Sequence, residues 1–351
     1  MKTYQVGSHI EAYPHEDTKI SIYNTNTGKT FVLGEKESSV FKFLNGANTL
    51  DDIHQACPFY SKEDIEKLIS AFEQIGMFEI IKKKFNPFKI KLRLFNPNRL
   101  MKEESLITKL LHYMILAGGP LLLLVGILFF RGNVDNPEMF LSGVMAEFAH
   151  LRVVNIIVFV AIALVSLALH EFAHMITARK YGVNVPEIGV MLYFLIPCAY
   201  TNITGINLLK SKGKRLTVLL SGSVTNLGVI GICLAVAALI KSPVLGMYAS
   251  VAILFNLGAI IMNTMVLLKF DGYYILETIL DEPKFREKAI SHMLGYIKMT
   301  FSKNKEAKQA FNNSIDNNGA FLIHITYCFY AVLSLSYVPF VLLNTVVPFI
   351  M

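Results

Sequence analysis

Long apolar runs constrain this sequence more than any other feature. Four of them cover about residues 110–130, 153–178, 215–240 and 244–268, and each reaches the roughly 20 residues that a helix needs to cross a hydrocarbon core. A fifth apolar block, about 319–350, would suit one long span or two short ones. Only 17% of the 351 residues are charged, against about 25% in an average soluble domain. The sequence therefore predicts a multi-span α-helical membrane protein with five or six transmembrane helices.

The N-terminal part has a different pattern, with frequent charges and no long apolar run. Residues 19–34 alternate apolar and polar side chains on both sides of 24–28, which is typical of a β-hairpin. Helical spacing and capping residues then predict three helices, at about 37–44, 49–56 and 61–75. We expect a small α+β winged-helix-like domain that lies in the cytoplasm, because Met1–Ile10 has no apolar signal-peptide core.

The distribution of charged residues predicts the domain boundaries and the orientation of the chain in the membrane. We expect a winged-helix-like domain at 1–81, a basic linker at 82–109 and a membrane domain at 110–351 with its core at 150–285. Lys and Arg are dense in 82–109, 210–215 and 284–308 and sparse in 131–152 and around 241. Because positively charged loops stay on the cytoplasmic side, this predicts a multi-pass protein of the cell membrane with a cytoplasmic N-terminus. Nucleic acid is not an expected partner, since the acidic helix at 61–74 would repel phosphate.

The sharpest motif is His170-Glu171-Phe172-Ala173-His174, at the end of the second apolar run. On a helix, residues four apart lie within about 40° and about 6 Å of each other, so both imidazoles can bind one ion. Glu171 is placed beside them to take a proton from water. An ionisable group at membrane depth costs about 2.5 to 3.5 kcal/mol, which favours a metal site here. Structural pairing with another intramembrane group is the alternative.

A zinc site needs a third protein ligand and leaves one coordination position for water. Asp271 is the candidate, since it lies 97 residues after His174 at the end of the fourth apolar run. Both runs are predicted to cross in the same direction, so their ends should lie at the same depth. An Asp-Gly pair at a helix end is often only a turn, and Glu277 is the competing carboxylate.

Together these motifs resemble the site-2 protease family of intramembrane zinc metalloproteases, and in particular its peptide zinc metalloprotease branch. The resemblance covers about residues 150–285 and includes the runs Asp271–Leu276 and Leu195–Tyr200. It implies His170, His174 and Asp271 as ligands of Zn²⁺ and Glu171 as the catalytic acid and base.

Two positions depart from the family pattern. The third-span motif reads Ser221–Asn226 where the family has Gly-Pro before the asparagine, and Val266 stands where the family has proline. These changes concern helix bending and substrate access, and they leave the metal ligands in place. Asn226 is expected to donate a hydrogen bond to the carbonyl under attack. A helix–helix hydrogen bond is its alternative role.

The N-terminal domain resembles the small leader-peptide-binding domains of ribosomal-peptide maturation systems, such as the peptide chaperone of pyrroloquinoline quinone biosynthesis. The residues that carry this resemblance include Asn24, Thr27, Gly28, Phe31 and the Asn45-Gly46 turn. It implies a leader peptide held as an added strand beside the hairpin. The alternative is a cytoplasmic domain that only stabilises the membrane part.

The expected function is therefore that of a membrane-embedded zinc-dependent endopeptidase. Its expected substrate is a ribosomally synthesised precursor peptide, cut at the cytoplasmic membrane face during maturation or export, with an export transporter as a further partner. Residues 186–202 are apolar but interrupted by Pro and Gly, so we expect a re-entrant edge that aligns an extended substrate strand. The alternatives are regulated cleavage of a membrane-anchored signalling protein and a non-catalytic metal-binding membrane or immunity protein.

Overall fold

The computed structural model describes residues 3–15, 19–25, 27, 29–78, 89–99, 101, 105–193, 196–240, 242–300 and 322–337. The chain divides into two compact units. The first unit contains Met1–Ile115 and Leu167–Lys210, and the second contains Leu116–Ser166 and Ser211–Met351.

The first unit begins with a small α+β region, which we call the head (residues 3–78). Its strands are β1 (Thr3–Gln5), β2 (Ile10–His15), β3 (Lys19–Asn24), β4 (Lys29–Leu33) and β5 (Asn45–Thr49), and its helices are α1 (Glu35–Lys42), α2 (Leu50–Ala56) and α3 (Lys62–Gln74). The predicted hairpin is confirmed as β3 and β4, which pair antiparallel with Ile20 opposite Leu33. All three predicted helices are present, with their ends shifted by a few residues.

Capping side chains fix the starts of two of these helices. The Thr49 hydroxyl accepts a hydrogen bond from the backbone N–H of Asp52, whose carboxylate accepts from the Thr49 N–H at 2.8 Å. This reciprocal pair is a capping box. The Ser61 hydroxyl accepts from the backbone N–H of Asp64 at 3.1 Å and caps α3. Both caps are where the sequence predicted them, and the helices pack on a buried core that includes Ile22, Leu33, Val40, Ile53, Ile65 and Phe72.

Two pairings in the head join residues that the local sequence pattern did not connect. β2 adds to the hairpin to give the order β2-β3-β4, and β1 pairs with β5 in a separate two-stranded sheet. The predicted Asn45-Gly46 turn therefore belongs to a strand. Gly46 has a φ of 85° there, a left-handed conformation that glycine adopts without strain.

Among the described residues, four helices are long and apolar enough to cross a membrane, which confirms the predicted multi-span α-helical class. The helices of this part are α4 (Leu106–Asn133), α5 (Pro137–Ala149), α6 (Val153–Lys180), α7 (Lys212–Ile240), α8 (Pro243–Thr264), α9 (Asp271–Leu280), α10 (Phe285–Thr300) and α11 (Leu322–Tyr337), and the four candidate spans are α4, α6, α7 and α8. The fifth apolar block contains the shorter α11. The rest of that block lies outside the described residues, and with it the choice between five and six spans.

Small residues let α4 and α7 pack closely within the second unit. A Cβ atom built on Gly231 of α7 would lie 2.1 Å from the carbonyl oxygen of Leu122, and one built on Gly126 of α4 would lie 2.1 Å from that of Gly231. Backbones can approach this closely only where side chains are absent. A buried hydrogen bond joins α8 to α6, since Asn256 Nδ2 donates to Ser166 Oγ at 3.0 Å.

A three-stranded sheet lies in the first unit outside the head. β6 (Lys89–Phe95) pairs antiparallel with β7 (Ile188–Tyr193), which pairs antiparallel with β8 (Ile196–Thr201). Short 3₁₀ helices follow at Pro97–Arg99 and Thr204–Leu208. Part of the range 82–109 thus forms a strand, and the expected re-entrant edge at 186–202 contains a hairpin. The domain boundaries at 81 and 109 stay a prediction.

The fourth apolar run forms α8 and then a short stretch that is not helical. α8 ends at Thr264, where the capping residue Met265 has extended backbone, and α9 begins at Asp271. Residues 265–270 separate Asp271 from the end of α8, so Asp271 follows the fourth candidate span and is not part of its helix. Asp271 instead occupies the first turn of α9, where the positive end of the helix dipole favours a carboxylate.

Candidate metal centre

The predicted histidine pair lies in the last turns of α6. His170 and His174 are buried, and their Nε2 atoms are 3.1 Å apart. Two imidazole nitrogens this close together on one helix face can donate to a single ion. Glu171 follows His170 directly and is half-buried, so its side chain is within reach of both protein and solvent.

Contacts in the first unit hold this end of α6 in place. The Arg179 side chain donates two hydrogen bonds, of 3.1 and 3.0 Å, to the carbonyl oxygen of Met101. Phe172, inside the histidine motif, stacks on Phe95 of β6 with ring centroids 6.1 Å apart. The histidine-bearing turn is thus packed on the strand that precedes α4 in the sequence.

Asp271 depends on the glycine that follows it. A Cβ atom built on Gly272 would lie 2.5 Å from the carbonyl carbon and oxygen of Thr264. Only a residue without a side chain lets the first turn of α9 approach the end of α8 this closely. Gly272 is therefore required for the packing of the first turn of α9 against the end of α8. The Asp-Gly pair does not serve only as a turn.

Among the residues that the structure describes, His170, His174 and Asp271 offer two imidazoles and a carboxylate that could hold a metal ion. No other such group occurs among the residues that the structure describes. Two imidazoles and a carboxylate are a donor set of catalytic zinc sites, which use three protein ligands and keep one position for water. The hard cations Mg²⁺ and Ca²⁺ prefer all-oxygen sites. The residues present therefore fit zinc.

The competing carboxylate, Glu277, has other partners. It accepts a hydrogen bond from the backbone N–H of Phe285 at 3.0 Å and another from the hydroxyl of Tyr273. The first bond joins α9 to the start of α10, and the second lies within α9. Glu277 consequently contributes to the packing of these two helices, and Asp271 stays the predicted carboxylate ligand.

Asn226 of α7 is almost fully buried, with 1% of its surface exposed. Its side-chain nitrogen has no hydrogen-bond partner among the described residues. A buried amide without a partner costs about 1 to 3 kcal/mol, so this donor is expected to serve a group that the described residues do not include. The helix–helix bond considered as its alternative role is not made by this nitrogen within the described part of the chain.

The chain is similar to a known protein family. The sequence model of Peptidase family M50 matches residues 158–333, which is half of the chain and includes all five predicted site residues. The chain belongs to peptidase family M50. This is the site-2 protease family of membrane metalloproteases, so membership implies intramembrane metalloprotease activity on a peptide or membrane-protein substrate. The comparisons with curated proteins and with solved structures gave no match.

This M50 chain also has polar contacts near its histidine motif that the sequence did not predict. Thr201 Oγ1, at the end of β8, donates to the carbonyl oxygen of Glu171 at 3.0 Å. The next residue, Asn202, donates from Nδ2 to the hydroxyl of Tyr23 in the head at 2.9 Å. Burial and the nearby charge of Glu187 raise the pKa of Tyr23, so this hydroxyl stays protonated. Partners 179 residues apart leave no periodic signal in the sequence.

Proposed function

We propose that this chain is a zinc-dependent endopeptidase that cuts peptide bonds at or within the membrane. The observation that carries the proposal is the group formed by His170, His174 and Asp271. Membership of family M50 supports the same reaction class. The three side chains are the proposed metal ligands, and Glu171 is the proposed catalytic acid and base.

Zinc bound by these ligands would supply a Lewis acid that activates water at neutral pH. Glu171 accepts the proton as the water oxygen attacks the scissile carbonyl carbon. It then delivers that proton to the amine nitrogen as the carbon–nitrogen bond breaks, so one group serves as base and then as acid. Its half-buried position suits both steps. In this proposal Asn226 donates its buried amide hydrogen to the carbonyl oxygen as negative charge develops there.

The backbone of β8 is the proposed binding edge for the substrate, which would pair with it as an added strand. β8 lies at one end of the order β6-β7-β8, so its outer backbone groups are available for an added strand. A substrate that pairs with this edge becomes extended, and backbone hydrogen bonds then bind it with little regard to its sequence. The strand ends at Thr201, whose hydroxyl contacts Glu171, and this favours β8 over β6 as the substrate edge.

The proposed substrate is a ribosomally synthesised precursor peptide, cut at the cytoplasmic face during maturation or export. The head supports this choice, because the order β2-β3-β4 has an edge strand that a leader peptide could extend. A cytoplasmic N-terminus and a dedicated export transporter belong to the same proposal. Regulated cleavage of a membrane-anchored signalling protein is the competing outcome.

The test uses the full chain reconstituted in lipid nanodiscs, with zinc content measured by mass spectrometry. Candidate substrates are unfolded β-casein and the short peptides encoded beside this gene. We expect one bound zinc, cleavage by the wild type, and cleavage lowered at least about 10²-fold in Glu171→Gln with zinc retained. Glu138→Gln, an exposed carboxylate on α5, is the matched control and should cut normally.

Two results separate the alternatives. Stoichiometric zinc together with full biological function in Glu171→Gln would indicate a non-catalytic metal-binding protein and refute the proposal. Cleavage of a single-span membrane protein, with no leader peptide bound by the head, would instead assign the chain to regulated signalling.

A further inference from the structure

A buried polar cluster joins the head to the segment that carries β7 and β8. It consists of Tyr23 on β3, Asn202 just after β8 and Glu187 just before β7, which are 1%, 5% and 7% exposed. Asn202 Nδ2 donates to the Tyr23 hydroxyl at 2.9 Å and approaches Glu187 Oε1 at 3.5 Å. The backbone N–H of Asn202 donates to the carbonyl oxygen of Glu187 at 2.9 Å. Polar groups buried this deeply are costly to leave without partners, so the contact strongly favours one arrangement.

A second set of contacts links the head to the same sheet. Arg93 on β6 donates from Nη1 to Glu11 Oε1 on β2 at 2.8 Å, and from Nη2 to the carbonyl oxygen of Pro186 at 2.9 Å. Asn96 Nδ2 donates to the hydroxyl of Tyr13 on β2 at 3.0 Å. The head therefore contacts the segment of the three-stranded sheet through two of its strands, β2 and β3. Its position is fixed by these contacts as well as by the chain that connects it.

The cluster lies one residue from the contact with the histidine helix. Thr201 donates to the Glu171 carbonyl oxygen at 3.0 Å, and Asn202 follows it across one planar peptide bond, which transmits displacement because its geometry is stiff. Glu171 is itself adjacent to His170. A continuous run of hydrogen bonds and one peptide bond thus extends from the head to the proposed catalytic turn.

We propose that Tyr23, Asn202 and Thr201 are positioning residues, through which the docked head holds the end of β8 against the turn that carries Glu171. This assignment rests on the proposed function in one respect, namely that Glu171 is the proton-transfer group. It gives the head a second role beside peptide capture. Loss of the Tyr23 hydroxyl then weakens cleavage of any substrate, including one with no segment that the head could bind.

The first measurement needs no substrate. Hydrogen–deuterium exchange of the full chain in nanodiscs is compared for the wild type, Tyr23→Phe and Tyr60→Phe. Tyr60 is the matched control, because its hydroxyl donates to Glu37 at 3.0 Å wholly inside the head. We expect Tyr23→Phe to speed exchange in peptides covering 196–203 and 167–175 by about tenfold, as local opening becomes easier, and Tyr60→Phe to leave both peptides unchanged.

The second measurement is cleavage of unfolded β-casein. Thr201→Val, which removes the hydroxyl at similar volume, should lower kcat about tenfold with little change in KM, and Thr201→Ser should restore it. In the double variant Tyr23→Phe with Thr201→Val, the combined loss should be clearly smaller than the product of the two single losses, since both break one connection. A merely structural role would instead lower the folded fraction and leave kcat per folded molecule unchanged.

Unchanged exchange at 196–203 and 167–175 in Tyr23→Phe overturns the inference, as does an equal change in Tyr60→Phe. Multiplicative losses in the double variant also contradict it, because they mean that the two contacts act independently. A wild type that cuts no substrate, with faster exchange at both segments in Tyr23→Phe, refutes the protease proposal and leaves the connection between head and helix intact.

Discussion

Replacement of Gly272 by alanine should move Asp271 while all of the predicted metal ligands are kept. The variant therefore tests whether the position of Asp271 matters. The new Cβ would lie 2.5 Å from the Thr264 carbonyl group and 2.8 Å from the carbonyl oxygen of Asn263. Both obstacles are backbone atoms, so no side-chain rotation relieves the clash. An ordinary contact begins at 3.4 Å, and the first turn of α9 must therefore move by about 0.9 Å. Asp271 is the adjacent residue and must move with it.

The size of the effect follows from this displacement. A shift of about 1 Å in a catalytic group costs about 10²-fold in rate, and disturbance of the groups that orient a metal ligand typically costs about 10- to 100-fold in metal affinity. Overpacking costs about 1 to 3 kcal/mol of stability. We expect Gly272→Ala to bind zinc about 10- to 100-fold more weakly in competition with a fluorescent chelator, and to cut β-casein about 10²-fold more slowly.

Gly258→Ala is the matched control, because a Cβ there meets nothing within 4 Å. Alanine in the interior of α8 should stabilise the helix by up to about 1 kcal/mol and leave zinc affinity unchanged. A folded Gly272→Ala protein with wild-type zinc affinity and wild-type cleavage would refute the reasoning, since it would mean that the position of Asp271 does not depend on the packing of α9 against α8.

Three other perturbations test single contacts. Gly231→Ala places a Cβ 2.1 Å from a backbone oxygen of α4 and should lower thermal stability in detergent by about 1 to 3 kcal/mol, whereas Gly132→Ala, which meets nothing within 4 Å, should not. Asn226→Ala should lower kcat about 10²- to 10³-fold with zinc content and KM unchanged, and normal kcat would exclude it as an oxyanion donor. Thr49→Ala removes the capping box and should destabilise the head by about 1 kcal/mol, measured by hydrogen exchange. Hydrogen bonds from the Thr49 backbone N–H and hydroxyl lower the pKa of Asp52 below its ordinary 3.8, so their stabilising effect is present above about pH 4 and fades as pH falls further. The effect should be smaller in Thr49→Ala, which keeps the backbone N–H donor and loses the hydroxyl.

Local patterns predicted the parts of the fold that depend on neighbouring residues. The hairpin of β3 and β4, the capping residues Thr49 and Ser61 and the four long apolar helices all follow from residues a few positions apart. The pairings of β1 with β5 and of β6 with β7 join segments separated by tens of residues. Periodicity within a strand gives the side it buries and carries no information about which strand it joins, so these sheets could not be predicted.

The candidate site shows the same division. The histidine pair could be predicted because four residues on a helix fix the relation between two side chains. Asp271 was preferred to Glu277 from its place at the end of the fourth apolar run. The hydrogen bond that Glu277 accepts from Phe285 of α10 could not be predicted from the sequence. No proline or glycine between Val266 and Phe270 marks the end of α8, so its last residue could not be fixed from the sequence. That helix end instead accompanies the packing of Gly272 against α8, a contact that the sequence does not reveal.

The contacts between the head and the sheet affect how a leader peptide bound to the head would be presented for cleavage. A head on a flexible linker would raise only the effective concentration of a captured peptide, and the benefit would fall slowly as the linker lengthened. The contacts of Tyr23 with Asn202 and of Arg93 with Glu11 fix the head on the sheet that contains β8. A peptide held at the head would then enter the β8 edge at a set distance from its leader. Under the proposed function, selection of the cleavage position would follow from that distance, because an edge strand that pairs with backbone has little preference for side chains.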